Sequence, residues 1–182
     1  MTVEQYLTLE RSLETRNEFW DGEVVSSSGQ GARHSKVVSN LGCYLHQQLR
    51  GSPSEVYFRM RVRTPDRRFF LYPDVVVAGT PPEFEDAETD TLLNPALVVQ
   101  VTSPSVEEYD RGMKSALYRS LASVTELVVV AQDRPYIEHW LRQGTDRWLM
   151  IEFKDLEQLL ELPTVGCQIL LGDIYERSPA RD

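Results

Sequence analysis

The sequence predicts an α/β fold in which a mixed β-sheet is flanked by helices. Two segments rich in valine, 72–77 and 96–103, are typical of strands that are covered by protein on both faces. In the middle of the chain the predicted order is three strands, a helix and a strand, which indicates a mixed sheet with helical layers. We expect a single domain over residues 1–182, because no stretch rich in Ser, Gly or Pro suggests a linker.

The first fifty residues predict two helices separated by a hairpin. Thr2-Val3-Glu4-Gln5 matches a capping box and begins a short first helix. Asp21-Gly22 stands between segments that alternate polar and apolar residues, which is the strongest two-residue hairpin signal. After a loop over 26–32, apolar residues recur at helical spacing over about 33–50, and Gly51-Ser52-Pro53 ends this second helix.

The next part of the chain predicts the strands at the centre of the sheet. Residues 56–64 alternate with period two, and a turn at 64–67 leads into a second strand over 69–78, so that the two form an antiparallel pair. A long acidic loop precedes the strand 96–103. Pro104 separates that strand from a helix over about 106–121.

Strands and short C-terminal segments complete the prediction. Three strands are expected at 126–131, 136–142 and 148–153. Short strands or turns are expected at 159–162 and 167–171, before Ile174-Tyr175 ends the ordered chain.

The charge argues against an extended nucleic-acid surface but permits a local one. The net charge is −9, whereas phosphate binding depends on Lys and Arg that displace condensed counterions. Five arginines against one acid lie in 59–68, and 83–90 hold five acids and no base. Arg59, Arg61 and Arg63 share one face of the predicted strand, so they either contact a phosphate backbone or form an ordinary solvated face.

The sequence predicts a soluble, cytoplasmic protein that has no membrane partner. Its two cysteines, Cys43 and Cys167, lie in apolar settings and lack Cys-x-x-Cys spacing, so neither a disulfide framework nor structural zinc is indicated. The first residues do not form a basic segment followed by an apolar core. No apolar run approaches the roughly 20 residues that a spanning helix needs.

Three polar residues are expected in apolar surroundings. Asp74 lies in the second strand, and Gln100 lies in the valine strand with its side chain directed into a protein layer. Lys114 falls within an apolar helix stripe formed by Met113, Leu117, Tyr118 and Leu121. A buried polar group without a partner costs about 1–3 kcal/mol, so we expect the three side chains to share one pocket.

An acid, an amide oxygen and an ammonium are a set suited to phosphodiester hydrolysis. Asp74 and Gln100 would bind Mg²⁺ or Mn²⁺, and Lys114 would position water or stabilise developing charge. The alternative is that each residue has a structural role. Asp74 would then only close a turn, Gln100 would satisfy a backbone group, and Lys114 would extend its ammonium towards solvent.

Several motifs along the chain resemble a known family. They are Tyr-Pro-Asp-Val-Val-Val at 72–77, Asp-Thr-Leu-Leu-Asn-Pro at 90–95, Ser-Pro-Ser at 103–105 and Tyr-Asp-Arg-Gly-x-Lys at 109–114. Together they resemble the Uma family, a bacterial group of restriction-endonuclease-like proteins with the PD-(D/E)XK nuclease core. The resemblance extends from residue 18 to residue 176 and implies a restriction-endonuclease-like sheet, a DNA substrate and a homodimer.

The resemblance also implies a role for particular residues. Asp74 matches the metal-binding aspartate of the family, Lys114 matches a lysine displaced onto the next helix, and Glu23 and His34 match polar positions near the site. Gln100 stands where the family usually has glutamate, and an amide binds hard cations less well than an acid does. Two functions therefore stay open: a weakened nuclease, or a module that binds nucleic acid or protein without cutting.

Overall fold

The computed structural model describes residues 1–27 and 31–176. Its helices are α1 (Val3–Ser12), α2 (Ala32–Gln48), α3 (Glu107–Tyr109), α4 (Ser115–Ser120) and α5 (Leu171–Tyr175), with a π-helical turn Asp110–Lys114 joining α3 to α4. Its strands are β1 (Asn17–Trp20), β2 (Glu23–Ser26), β3 (Val56–Phe58), β4 (Arg61–Arg63), β5 (Phe69–Leu71), β6 (Val75–Ala78), β7 (Thr91–Leu92), β8 (Pro95–Thr102), β9 (Glu126–Ala131), β10 (Ile137–Arg142), β11 (Trp148–Phe153), β12 (Leu159–Leu162) and β13 (Cys167–Leu170).

A six-stranded mixed sheet forms the centre of the fold, in the order β11-β10-β9-β8-β6-β3. Strands β8 and β9 are parallel and the other neighbours are antiparallel. Val99 and Val101 of β8 pack with residues of α2 on one face, whereas Val98 packs with Tyr118 of α4 on the other. The prediction of a mixed sheet flanked by helices is therefore confirmed.

A five-stranded sheet in the order β2-β1-β5-β4-β7 is formed by strands from the first half of the chain. The predicted capping box is present, because the Thr2 hydroxyl accepts a hydrogen bond from the Gln5 amide and the Gln5 side chain accepts one from the Thr2 amide. In the β1–β2 hairpin Asp21 and Gly22 have φ angles of 49° and 100°, which are the left-handed values that a type I′ turn requires. Of the predicted loop 26–32, residues 28–30 lie outside the described part.

The structure corrects the prediction of two long strands in the middle of the chain. The segment 56–64 breaks at Arg59, whose φ is 48°, so that β3 joins the six-stranded sheet and β4 joins the five-stranded one. The segment 69–78 divides in the same way into β5 and β6. The predicted antiparallel pairing is kept, since β3 pairs with β6 and β4 pairs with β5. Asp74, however, lies just before β6 rather than within a strand. The period-two pattern continues through the break, and for this reason it did not reveal the change of sheet.

The rest of the chain follows the prediction closely. Strands β9, β10 and β11 form an antiparallel meander, and β12 pairs with β13 in a small separate sheet. Residues 177–182 lie outside the described part. Within residues 1–27 and 31–176, no helix has both the length and the apolar character needed to cross a membrane.

Candidate functional site

The candidate site lies where β6 and β8 separate at one end of the central sheet. Val75 of β6 pairs with Val99 of β8, and the Asp74 amide donates to the Val99 carbonyl at 3.1 Å. Two residues further along β8, Asp74 Oδ2 accepts a hydrogen bond from the Val101 amide at 2.7 Å. The carboxylate, only 2% exposed, therefore takes the place of a strand partner and is held rigidly beside β8.

Gln100 is buried next to Asp74, and its neighbours define the orientation of its amide. Nε2 donates to Asp74 Oδ2 at 3.1 Å and to the Val101 carbonyl at 3.3 Å, while the Tyr118 hydroxyl donates to Oε1 at 3.2 Å. The reverse orientation would place Oε1 against two acceptors, which is unfavourable. Gln100 therefore presents a donor to Asp74, not a second oxygen.

A π-helical turn brings two residues of the following helix inwards. Within Asp110–Lys114 the helix widens by one residue, and both Asp110 and Lys114 are buried. The regular stripe that was predicted here is wrong at Met113, whose side chain is 57% exposed, because the extra residue shifts the register. Such turns occur frequently at functional sites.

Lys114 is anchored by Glu18, which the sequence reasoning missed. Lys114 Nζ lies 2.7 Å from Glu18 Oε1, and both side chains are less than 10% exposed. The same oxygen accepts from the Tyr72 amide at 3.0 Å, and Trp20 Nε1 donates to Oε2 at 3.2 Å. The available signal was a glutamate beside Phe19 and Trp20 in a hairpin strand, but its partner lies 96 positions away in the sequence.

Asp110 is a second acid that the sequence reasoning did not select. It is 5% exposed, and burial raises its pKa to about 6, against the lowering effects of the Lys114 ammonium and a hydrogen bond from Thr102. The negative charges of Asp74 and Glu18 raise this pKa further. A carboxyl group that titrates near pH 6 can exchange protons close to neutral pH.

The two supporting residues implied by the resemblance have different positions. His34, in the first turn of α2, is 3% exposed, and its Nε2 lies 3.3 Å from Asp74 Oδ1 and 3.2 Å from the Val101 carbonyl. Glu23, the first residue of β2, is exposed and is not among the residues that line the cleft described below. The structure brings His34 to the site and leaves Glu23 at the surface.

The three arginines predicted to share a strand face are separated. Arg59 donates from Nη2 to Ser27 Oγ at 3.0 Å. Arg61 is 2% exposed with Nη2 2.7 Å from Asp90 Oδ1, and Arg63 Nε lies 3.1 Å from Glu85. The predicted shared face is wrong for Arg59, because the chain changes sheets there. Arg61 and Arg63 stand two residues apart in β4, and the acidic loop neutralises both.

The buried polar residues surround an open cleft of about 360 Å³. Side chains that line it and bear on its chemistry are Glu18, Ser27, His34, Gln100, Asp110 and Lys114. Asp74 contacts two of these lining residues from behind. Three carboxylates against one ammonium leave an excess of negative charge in the cleft.

A divalent cation suits this charge and this oxygen-rich donor set. Mg²⁺ commonly binds through one or two carboxylates and completes its shell with water. Among residues 1–27 and 31–176 no group of three His, Cys, Asp or Glu side chains is placed to hold a metal ion by itself. Asp74 would hold Mg²⁺ together with Asp110, or with Gln100 once its amide had turned its oxygen towards Asp74.

Comparison with known proteins identifies similar chains. An uncharacterized protein of Synechocystis sp. is 28% identical over 153 residues, covering 84% of this chain and 86% of its own length. A second one is 26% identical over 176 residues, covering 96% and 91%. The crystal structure of "a putative nuclease belonging to DUF820" from Anabaena variabilis superposes with a TM-score of 0.73 over 96% of this chain and 97% of that one.

The sequence identity to the Anabaena variabilis protein is 13%, so this likeness establishes the fold alone. A family model provides the assignment, because it matches residues 3–171, which is nearly the whole chain. This protein belongs to the Uma2 family, which is described as "Putative restriction endonuclease".

Proposed function

We propose that this protein is a metal-dependent endonuclease that hydrolyses phosphodiester bonds of DNA in the cleft. The observation that carries the proposal is that Lys114 lines one opening together with the buried carboxylates Glu18 and Asp110, while the buried Asp74 contacts the lining residues from behind. A phosphodiester is anionic, so a cation bound in this acidic cleft would strengthen its attraction to the site. Membership of the Uma2 family supports the same chemistry.

Asp74 and Gln100 are the proposed metal ligands. A bound Mg²⁺ or Mn²⁺ supplies electrophilic polarisation of the phosphate oxygen. Asp74 is held for this task by the Val101 amide and by His34, so little reorganisation of the carboxylate is required. Gln100 would contribute its oxygen only after its amide turns, and an amide oxygen binds a hard cation less well than a carboxylate does.

Lys114 and Asp110 are the residues that we propose assist the attack of water on the phosphate. The Lys114 ammonium, fixed by Glu18, stabilises the negative charge that develops on the phosphate. Asp110 has a pKa of about 6 and lies on the cleft wall, so it can accept the proton of the attacking water near neutral pH.

Cleavage of plasmid and linear duplex DNA in Mg²⁺ or Mn²⁺ tests this proposal. Asp74→Ala and Lys114→Ala should each lower the cleavage rate by at least about 100-fold, the usual size of a lost electrostatic or proton-transfer contribution. Glu161→Ala and Lys154→Ala are matched controls, since both residues are exposed and lie outside the cleft. The proposal fails if the wild-type protein cuts no DNA substrate, or if both cleft variants cut normally.

A second candidate function is a module on the same fold that binds nucleic acid or protein without cutting. The Gln100 side chain favours it, because its Nε2 satisfies Asp74 without any cation. Gln100→Glu separates the two candidates. A variant that gains Mg²⁺ binding and faster cleavage identifies a weakened nuclease, whereas one that still cannot cut supports the binding module.

We also propose that the protein acts as a homodimer, since two clefts are needed to cut both strands of a duplex in one encounter. Sedimentation equilibrium with and without duplex DNA tests this. A monomer under both conditions would contradict it.

A further inference from the structure

A second, smaller cavity of about 240 Å³ lies beside the cleft and has the opposite charge character. It is called the arginine pocket here and is defined by Arg11, Arg16, Arg59 and Arg61 together with Glu10 and Asp90. Four guanidinium groups against two carboxylates make its wall basic in a chain whose net charge is −9.

Two of the four arginines are held by acids. Arg11 and Arg61 both contact Asp90, at 2.8 Å and 2.7 Å, and Arg11 also contacts Asp86 at 2.7 Å. Arg61 Nη2 is buried and lies against Asp90 Oδ1, so the charge of Arg61 is already paired within the pocket wall.

The other two arginines retain free charge. In the described part of the chain, neither Arg16 nor Arg59 has a carboxylate within ion-pair distance. Arg16 is exposed and lies over the Tyr72 ring, 5.5 Å from its centroid. Its guanidinium is thus oriented at the pocket by an aromatic face rather than neutralised by an acid.

Arg59 connects the arginine pocket to the cleft. Its amide donates to the Asp74 carbonyl at 3.0 Å, and its Nη2 donates to Ser27 Oγ, which lines the cleft. The φ of 48° is a left-handed conformation that is costly for a residue other than glycine or asparagine. Residues held in such conformations cluster at binding and active sites.

Tyr72 forms a second connection between the two regions. Its amide donates to Glu18, the partner of Lys114, at 3.0 Å. Its hydroxyl donates to Glu10 in the pocket, also at 3.0 Å. Tyr72 therefore contacts a lining residue of the cleft and a lining residue of the arginine pocket.

We infer that the arginine pocket binds a phosphate of the nucleic-acid strand whose neighbouring phosphodiester occupies the cleft. Arg16 and Arg59 supply the free charges for this contact. The inference rests on the proposed function, since it adds a phosphate-binding subsite to the same site. It gives an acidic protein a local means of holding a polyanion.

Fluorescence anisotropy with a labelled DNA duplex in EDTA tests binding separately from cutting. Arg16→Ala and Arg59→Asn are the test variants, and asparagine is chosen because it tolerates a left-handed backbone. Each should weaken binding about three- to tenfold and lower the slope of log K against log salt by about 0.9, the effect of one lost phosphate contact. Arg147→Ala, an exposed arginine on the β10–β11 turn, is the matched control.

The results distinguish this inference from the endonuclease proposal. If both variants bind like Arg147→Ala while their thermal unfolding is unchanged, the arginine pocket is not a phosphate subsite, whether or not the wild-type protein cuts DNA. If binding depends on Arg16 and Arg59 but Mg²⁺ produces no cleavage, the subsite stands and the endonuclease proposal fails. Absence of wild-type binding at low salt overturns the inference directly.

Discussion

Within residues 1–27 and 31–176 two histidine–carboxylate pairs are buried, and their surroundings differ. His34 and Asp74 lie 3.3 Å apart behind the cleft, and His139 and Glu126 lie 2.5 Å apart between β10 and β9. All four side chains are less than 5% exposed. By residue type and burial alone, each pair is equally good evidence for a functional site.

The two pairs differ in the further contacts that their carboxylates make. Both carboxylate oxygens of Glu126 have partners, since one contacts His139 and the other accepts a hydrogen bond from the Thr164 amide at 3.0 Å. We call His139 and Glu126 the closed pair for this reason. Asp74 belongs to a larger group, with Glu18, Asp110 and Lys114 grouped around an opening to solvent. The comparison teaches that excess charge beside an accessible space indicates a site, whereas a satisfied pair indicates a structural link.

The largest expected effect concerns the closed pair. Glu126→Ala should lower the free energy of unfolding by about 3–5 kcal/mol, because it leaves the buried His139 side chain and the half-buried Thr164 amide without this partner. Urea unfolding measures this, with Glu161→Ala as the exposed control. The folded fraction should keep its DNA-binding affinity and cleavage rate. A loss of activity at normal stability would show that the closed pair is functional.

The next effect concerns Gln100. In EDTA, Gln100→Glu should lower the free energy of unfolding by about 2–4 kcal/mol, because a carboxylate would then face Asp74 Oδ2 across the present 3.1 Å contact. Mg²⁺ should restore much of this loss by binding between the two acids. Thermal unfolding with and without Mg²⁺ measures both changes.

Gln143→Glu, on the exposed β10–β11 turn, is the control for Gln100→Glu. Equal Mg²⁺ responses in the two variants would argue against a cation site at Asp74.

The raised pKa of Asp110 can be tested through the pH dependence of the free energy of unfolding. Its pKa is about 6 in the folded protein and near 3.8 ordinarily, so ionisation costs folding free energy as the pH rises from about 4 to about 6. Asp110→Asn removes this cost and should be more stable than the wild type by about 1–3 kcal/mol above pH 6, with the difference vanishing below pH 4. Urea unfolding across this pH range measures it, and a constant difference would contradict the assignment.

The smallest effect concerns the hydroxyl that orients Gln100. Tyr118→Phe removes the donor to Gln100 Oε1 and should cost about 1 kcal/mol of unfolding free energy, the usual contribution of one hydrogen bond. With its oxygen released, Gln100 can turn towards Asp74, so the Mg²⁺-dependent rise in melting temperature should increase. An unchanged Mg²⁺ response would show that the amide orientation does not limit cation binding.

Much of the fold was predictable because its signals are local. The capping box, the Asp-Gly hairpin and the valine strand β8 depend on neighbouring residues and on periods of two or 3.6, which the chain displays directly. The same periodicity placed Asp74, Gln100 and Lys114 among apolar residues. The break at Arg59 escaped prediction because alternation continues across it while the strand partners change.

The sequence by itself determined the layered α/β fold and a polar centre built from Asp74, Gln100 and Lys114. Only the tertiary structure decided that Glu18 anchors the lysine, that Asp110 joins the cleft through a π-helical turn, and that Gln100 faces Asp74 with its nitrogen. The physical reason is that burial follows from local pattern. Charge pairing and hydrogen-bond direction depend instead on which distant segments the packed core brings together.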